Sequence, residues 1–591
     1  MVGQVFEGRS FVNGSASGTL LAADVGLSFW GGVDSTTGEV IDRFHPLSGR
    51  SLRDVILAMP QGRGSCTGSA VMLELILNGM GPKAIIFQRR EDIITLGVIA
   101  ADEFFGKAVP VVVLDTVDFR HVVGWHEETI YVQDGQVSNA PLSNTRPLPT
   151  PPLGSTDVDI QLSAWDVEAL TGLHGEATKV AMKIIIRFAD IMGARELMDI
   201  SQAHVDGNWY GPGSVAFARR LRDAGGAFRV PTTINAVGID QRRWRSLGVD
   251  ITLGTFCEEL MQAYVGMGAA ASFTCAPYQL NGGGANPGQT PRRGEAIAWG
   301  ESNAVMYANS VLGARTLKYP NMLDCLVALT GRAPRAGLYL DENRAAVLRI
   351  KVTAIPEADD AYWPIMGYVV GAVAASRIPV ITGLEDLKPS ADDLKAFSAA
   401  FATIASAPMF HIVNITPEAP TVEATSYNGK RHKEEIPISK QIIRDHWSRL
   451  DQGSWPRRVD LVALGSPHFS VKEMMTLAGL CRGKTKHENT SVVVTCGRAQ
   501  YSLAAQAGYV KELERFGVQF LADTCWCFIG EPIVAKPVEV IMTNSAKYRH
   551  YGPGLTGKQF CFGSLSMCVE AACSGRSNGE LPMWLQQTDP N

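Results

Sequence analysis

Two periods of apolar and polar residues run through the chain, and the changes between them mark its elements. TGEVIDRF (37–44) alternates like a strand, and GRSLRDVILAMP (49–60) carries an apolar run into a loop. The loop GRGSCTGS (62–69) opens AVMLELILNGM (70–80), which predicts a helix. A second unit follows: strand KAIIFQ (83–88), helix DIITLGVIAADEFF (92–105) and strand VPVVVLD (109–115). Residues 1–140 thus predict a small β-rich domain with αβ additions, able to stand alone. Pro141, Pro147, Pro149, Pro151 and Pro152 then predict an extended linker over residues 141–158.

Residues 159–591 predict a large α/β part. WDVEALTGLHGEATKVAMKIIIRFADIMG (165–193) has a helical period broken near Thr171. YWPIMGYVVGAVAA (362–375) and HIVNIT (411–416) read as strands, ADDLKAFSAAFATIAS (391–406) as a helix, and Lys430 to Glu435 as a solvated face. RRVDLVALGSPHFS (457–470), SVVVTCGRA (491–499) and VQFLADTC (518–525) each run an apolar strand toward a polar turn. Strand ends are where α/β proteins place ligands.

Polar residues collect at such ends. His204 and Asp206 follow one apolar approach, and Thr232, Thr233 and Asn235 follow another; their plain alternative is to satisfy backbone groups. Glu301 and Ser302 open an Ala-rich helix, where a carboxylate also serves as a cap. Arg63, Gly64 and Ser65 lie in the loop before the helical run, where free N–H groups suit an anion. Asn544, Ser545 and Lys547 belong to the densest stretch of chemistry, 523–576, together with DTCWC (523–527) and CFGSLSMC (561–568).

Composition narrows the class. The chain has 591 residues, a net charge of −5 and 59 glycines, which supports neither general nucleic-acid binding nor a membrane span. Eleven cysteines with no secretory leader point to a cytoplasmic protein using thiols for metal rather than disulfides. Their spacing is not CxxC, so any cluster is assembled from separate loops.

GRGSCTGS, TCAPY, GESNAVMYANSVLGAR, LGSPHFS, LADTC, NSAKYRHYGPG and FGSLSMCVEAA, in this order, resemble aconitase X over nearly the whole chain. That resemblance implies a swivelling β/β/α domain fused to a multi-lobed α/β catalytic part, so that no separate small subunit is expected. It implies a hydro-lyase acting on a small hydroxylated amino or carboxylic acid: cis-3-hydroxy-L-proline in the fused type, mevalonate 5-phosphate as the alternative. It further implies an iron–sulfur cluster on Cys275, Cys525 and Cys568, with Cys561 as a substitute for one of them. Ser466, which stands where the split type has cysteine, favours 2Fe–2S over 3Fe–4S or 4Fe–4S. Ser65 resembles the family's base, Arg63 and Lys547 are candidate carboxylate clamps, and His204 and His468 are candidates for handling the leaving hydroxyl. A reading from another class keeps the cysteines structural and makes the small domain a partner-binding module.

Overall fold

The computed structural model describes residues 3–42, 45–63, 65–142, 160–280, 290–427, 434–451 and 456–586. Gly64 and almost all of the Pro-rich linker lie outside them.

The small domain is built on an eight-stranded mixed sheet. Its parallel centre runs Ser15–Ala22, Ile56–Met59, Ala84–Phe87, Val111–Val113. Because successive side chains point to opposite faces, Leu57, Met59, Ile85 and Phe87 enter one core while Ile56, Ala58, Ala84 and Ile86 enter another. The first core holds the helices Gly68–Leu77 and Ile93–Phe105 and continues into Glu176–Met192 and Leu323–Thr330 of the large part. The small domain therefore shares a core instead of standing apart.

Among the described residues the large part has three parallel sheets. Thr232–Ile234, Ala203–Val205 and Ala298–Trp299 form the first, and His411–Ile412, Pro379–Thr382, Leu348–Val352 and Glu435–Ile438 the second. The third runs in the order Val518–Ala522, Ser491–Cys496, Leu461–Leu464, Val540–Thr543, Gln559–Phe562. From Leu461–Leu464 the chain moves outward through two strands and returns to Val540–Thr543 on the other side. The carboxyl ends of these two strands thus flank a topological switch point, beside which α/β sheets bind ligands.

One expected strand is a helix: 362–375 folds as Tyr362–Ala374. It is apolar nearly all round because it is buried between neighbours, and an apolar run without period does not distinguish strand from helix. A helical break does lie at Thr171, where Gly172 adopts φ 89° and ends Ala164–Thr171 before Glu176–Met192 begins.

Candidate active site

All the lobes meet around one cavity. The small domain contributes Trp30, Ser65, Cys66 and Thr67; the first sheet and its loops contribute Asp206, Asn208, Tyr210, Asn235, Cys275, Glu301, Ser302 and Asn321. Ala399, Ala402 and Thr403 come from the helix Ala391–Ile404, and Cys525, Cys527, Phe528, Lys547 and Tyr551 from the third sheet's loops and helix.

Three thiols form its floor. Cys275 and Cys527 pack against Cys525, and their thiols, with Lys547 nearby, hold Cys525 well below the ordinary thiol range. Burial, together with the Cys525 charge, keeps Cys275 protonated, and contact with Cys525 together with burial does so for Cys527. Phe528 N–H donates to Cys525 O at 2.9 Å, closing a turn that brings Cys525 and Cys527 to the same cavity. Among the described residues no group of three or more His, Cys, Asp or Glu is arranged as a finished metal site. The contiguous sulfurs nevertheless fit the chemistry of a thiolate-held cluster, and a cation stands beside them.

The expected third ligand is placed elsewhere. Cys568 lies on the helix Leu565–Ser574, fully buried in an apolar core with Cys561 on Gln559–Phe562, and neither lines the cavity. The apolar period of that helix turns Cys568 inward with Val569 and Ala572, while Cys527 packs beside Cys275 and Cys525. Cys-Trp-Cys lies in the dense stretch 523–576, but the turn that brings its two cysteines to one cavity is a fact of the fold.

His468 braces this floor without lining the cavity. Its backbone N–H donates to Cys275 Sγ at 3.3 Å, and its Nε2 is 2.7 Å from Thr524 O, so that nitrogen carries the proton. Nδ1, 3.2 Å from Thr274 Oγ1, accepts, and burial keeps the ring neutral. One imidazole thereby ties the loops of Cys275 and Cys525 together. His204 is also buried, with Nδ1 2.8 Å from Thr233 Oγ1 and a pKa pushed down to about 3 by desolvation. Neither histidine faces the cavity to give a proton to a leaving group.

Lys547 and Glu301 form the polar wall, 2.9 Å apart. Burial opposes both charges, but Glu301 and the thiols hold Lys547 well above its usual range. Burial likewise pushes Glu301 up, yet Lys547 and the amide of Asn303 leave it below the ordinary carboxylate value. Asn235 Nδ2 bridges Glu301 Oε2 at 3.2 Å and Asp206 Oδ1 at 3.3 Å.

Ser65 faces them from the small domain. Thr67 N–H donates to its Oγ at 3.3 Å, and the two hydroxyls are 2.9 Å apart. Arg63 is not at the cavity: it pairs with Asp42 at 2.6 Å, half-exposed. Thr232 donates to Val230 O and Thr233 to Ala203 O, which satisfies the backbone at the sheet edge. Ser545 caps the helix Ala546–Thr556 and donates to Ser466 O; with Asn544 these two line a neighbouring crevice. Trp30, Cys66, Thr67, Asn208, Tyr210, Asn321, Phe528 and Tyr551 are among the cavity residues absent from the expected set, whereas Asp206, expected at a strand end, lines it.

Four aconitase X family models match: the swivel domain over residues 5–137, the first domain over 159–342, the second over 346–448 and the third over 459–574. A cis-3-hydroxy-L-proline dehydratase of Hypocrea jecorina is 51% identical, covering 99% of this chain and 98% of its own. One of Pseudomonas aeruginosa is 47% identical, covering 98% of each. The solved holo-form of Thermococcus kodakaraensis aconitase X superposes with a TM-score of 0.61 at 29% identity, covering 70% of this chain and all of that one.

Proposed function

The chain belongs to the aconitase X family, and on that premise we propose that it is a hydro-lyase converting cis-3-hydroxy-L-proline to 1-pyrroline-2-carboxylate. The observation that carries this reading is the near full-length likeness to two dehydratases of that substrate. The cavity supports it, with a hydroxyl suited to take a proton and thiols suited to hold iron lining the same space.

Cys275, Cys525 and Cys527 would hold an iron–sulfur cluster, with 2Fe–2S the type that the family resemblance implies. When bound, it supplies a Lewis acid for the substrate hydroxyl. Ser65 takes the Cα proton, its oxygen already receiving the Thr67 N–H. Lys547 with Asn235 holds the carboxylate, the lysine staying charged because Glu301 is beside it. Ser302, at the start of the helix Ser302–Met306, adds a donor at the cavity wall. Trp30, Tyr210 and Phe528 meet edge-on or tilted at the cavity wall, with centroids 5.5–5.9 Å apart, and supply its apolar surface for the ring. Loss of the Cα proton and the β hydroxyl gives an enamine that tautomerises to the cyclic imine.

A phosphorylated substrate fits less well. A phosphate dianion calls for several cationic donors, and Lys547, already paired, is the one Lys or Arg among the described lining residues. The partner-binding alternative is disfavoured because three thiols converge on the cavity instead of scattering through cores. A cytoplasmic location accords with the free thiols among the described residues.

The test uses iron-loaded protein purified without oxygen, supplied with cis-3-hydroxy-L-proline or mevalonate 5-phosphate, the imine being trapped by o-aminobenzaldehyde. Adduct is expected with the first substrate alone. Ser65→Ala should lower kcat by at least about 10²-fold with the visible spectrum unchanged. No adduct with loaded protein contradicts the substrate, and full turnover by Ser65→Ala contradicts the base.

A further inference from the structure

Resting on the dehydratase reading, a second set of residues acquires a role. Serine is a poor base because its alkoxide is costly, so it needs a route by which its own proton leaves as the substrate proton arrives. The structure places four groups for such a route on one cavity. Ser65 Oγ is 2.9 Å from Thr67 Oγ1. Tyr210 lines the same cavity as Thr67, and its hydroxyl donates to Asp206 Oδ2. Asp206 is held from the other sides by Asn208 Nδ2 at 2.5 Å and Asn321 Nδ2 at 2.7 Å, so its carboxylate is fixed and solvated by amides. Glu301 and Asp324 are the charged groups that face it. Two links of this chain belong to the small domain and two to the large part.

We propose that Thr67 and Tyr210 relay the proton of Ser65 to Asp206, making that carboxylate the final acceptor for the Cα proton. As the Cα–H bond breaks, its proton binds Ser65 Oγ. The Ser65 proton passes to Thr67 Oγ1, the Thr67 proton to Tyr210 Oη, and the Tyr210 proton to Asp206 Oδ2. The electron pair left on Cα forms the double bond and expels the β hydroxyl as hydroxide. Asp206 returns to carboxylate when its proton is given up to that hydroxide, which departs as water. No free alkoxide forms, and the relay exists only while the small domain contacts the large part.

The iron-loaded full chain is assayed with cis-3-hydroxy-L-proline, protiated or deuterated at Cα, as wild type, Tyr210→Phe, Thr67→Val and Thr67→Ser. Tyr210→Phe keeps the ring contacts with Trp30 and Phe528 and loses one hydroxyl. Expected are a fall in kcat of about 10²-fold for Tyr210→Phe and Thr67→Val, KM within about two-fold, and a larger Cα-deuterium effect on kcat. Thr67→Ser, which keeps the hydroxyl, should restore most of the rate. An active wild type with Tyr210→Phe within about two-fold of it, or with Thr67→Ser as impaired as Thr67→Val, overturns the relay alone. A wild type that does not dehydrate the substrate overturns the dehydratase reading and the relay with it.

Discussion

At the scale of single residues, what a side chain does here is set by partners far away in sequence. Arg63 sits beside Ser65 in the chain, but Asp42 claims its guanidinium. His468 follows a strand like a ligand-bearing residue, but Thr274 and Thr524 use both its nitrogens. These are long-range facts that no local pattern carries. Asn235, Glu301 and Ser302 were legible at the ends of elements, Ser65 and Lys547 in polar stretches, and Cys275 and Cys525 through the motifs that carry the family resemblance; all seven line the cavity. The ligand assignment separates cleanly by iron content. Cys527→Ser should lose most of the bound iron and its absorption between 300 and 600 nm, whereas Cys568→Ser should keep both. The reverse pattern would return the third ligand to Cys568.

Among elements, the strands Ala84–Phe87 and Val111–Val113 and the helix Ile93–Phe105 between them could be read from the sequence of the small domain, but the helix Tyr362–Ala374 could not. Its identity depends on what packs against it. A Cβ at Gly367 would come within 2.3 Å of Phe397 O, and one at Gly371 within 2.3 Å of Ile404 Cγ2, so these glycines let the helix Ala391–Ile404 approach closely. That second helix brings Ala399, Ala402 and Thr403 to the cavity, and its Lys395 donates to His468 O at 3.1 Å. Helix propensity alone makes Gly367→Ala favourable by about 1 kcal/mol. The clash with backbone outweighs it, and a net destabilisation of about 1–3 kcal/mol is expected in chemical denaturation. A stabilised variant would show that the two helices can separate without cost.

Across the whole molecule, the small domain is held by polar as well as apolar contacts. Glu74, buried on the helix Gly68–Leu77, accepts from Gly213 N–H at the start of Pro212–Asp223, where Gly211 and Gly213 leave it room. Burial pushes its pKa up to about 7 from 4.5. The folded state thus binds the proton more tightly than the unfolded chain; this contribution is complete below about pH 4.5 and lost as pH rises to about 7. Glu74→Gln stays neutral, so its Tm relative to wild type should rise between pH 5 and pH 8. A constant difference would contradict the assignment. The fused two-part plan was legible from motif order, whereas the core shared between the parts was not, since an apolar helix face looks the same whichever domain it meets. The central claim, water loss begun at Cα by a base from the small domain, is tested most directly by following cis-3-hydroxy-L-proline with the iron-loaded protein in D₂O by NMR. Expected are disappearance of the hydroxyl-bearing methine and growth of 1-pyrroline-2-carboxylate carrying solvent deuterium at C3. Hydroxyproline recovered with deuterium at Cα and its hydroxyl retained would contradict it and make the protein an epimerase.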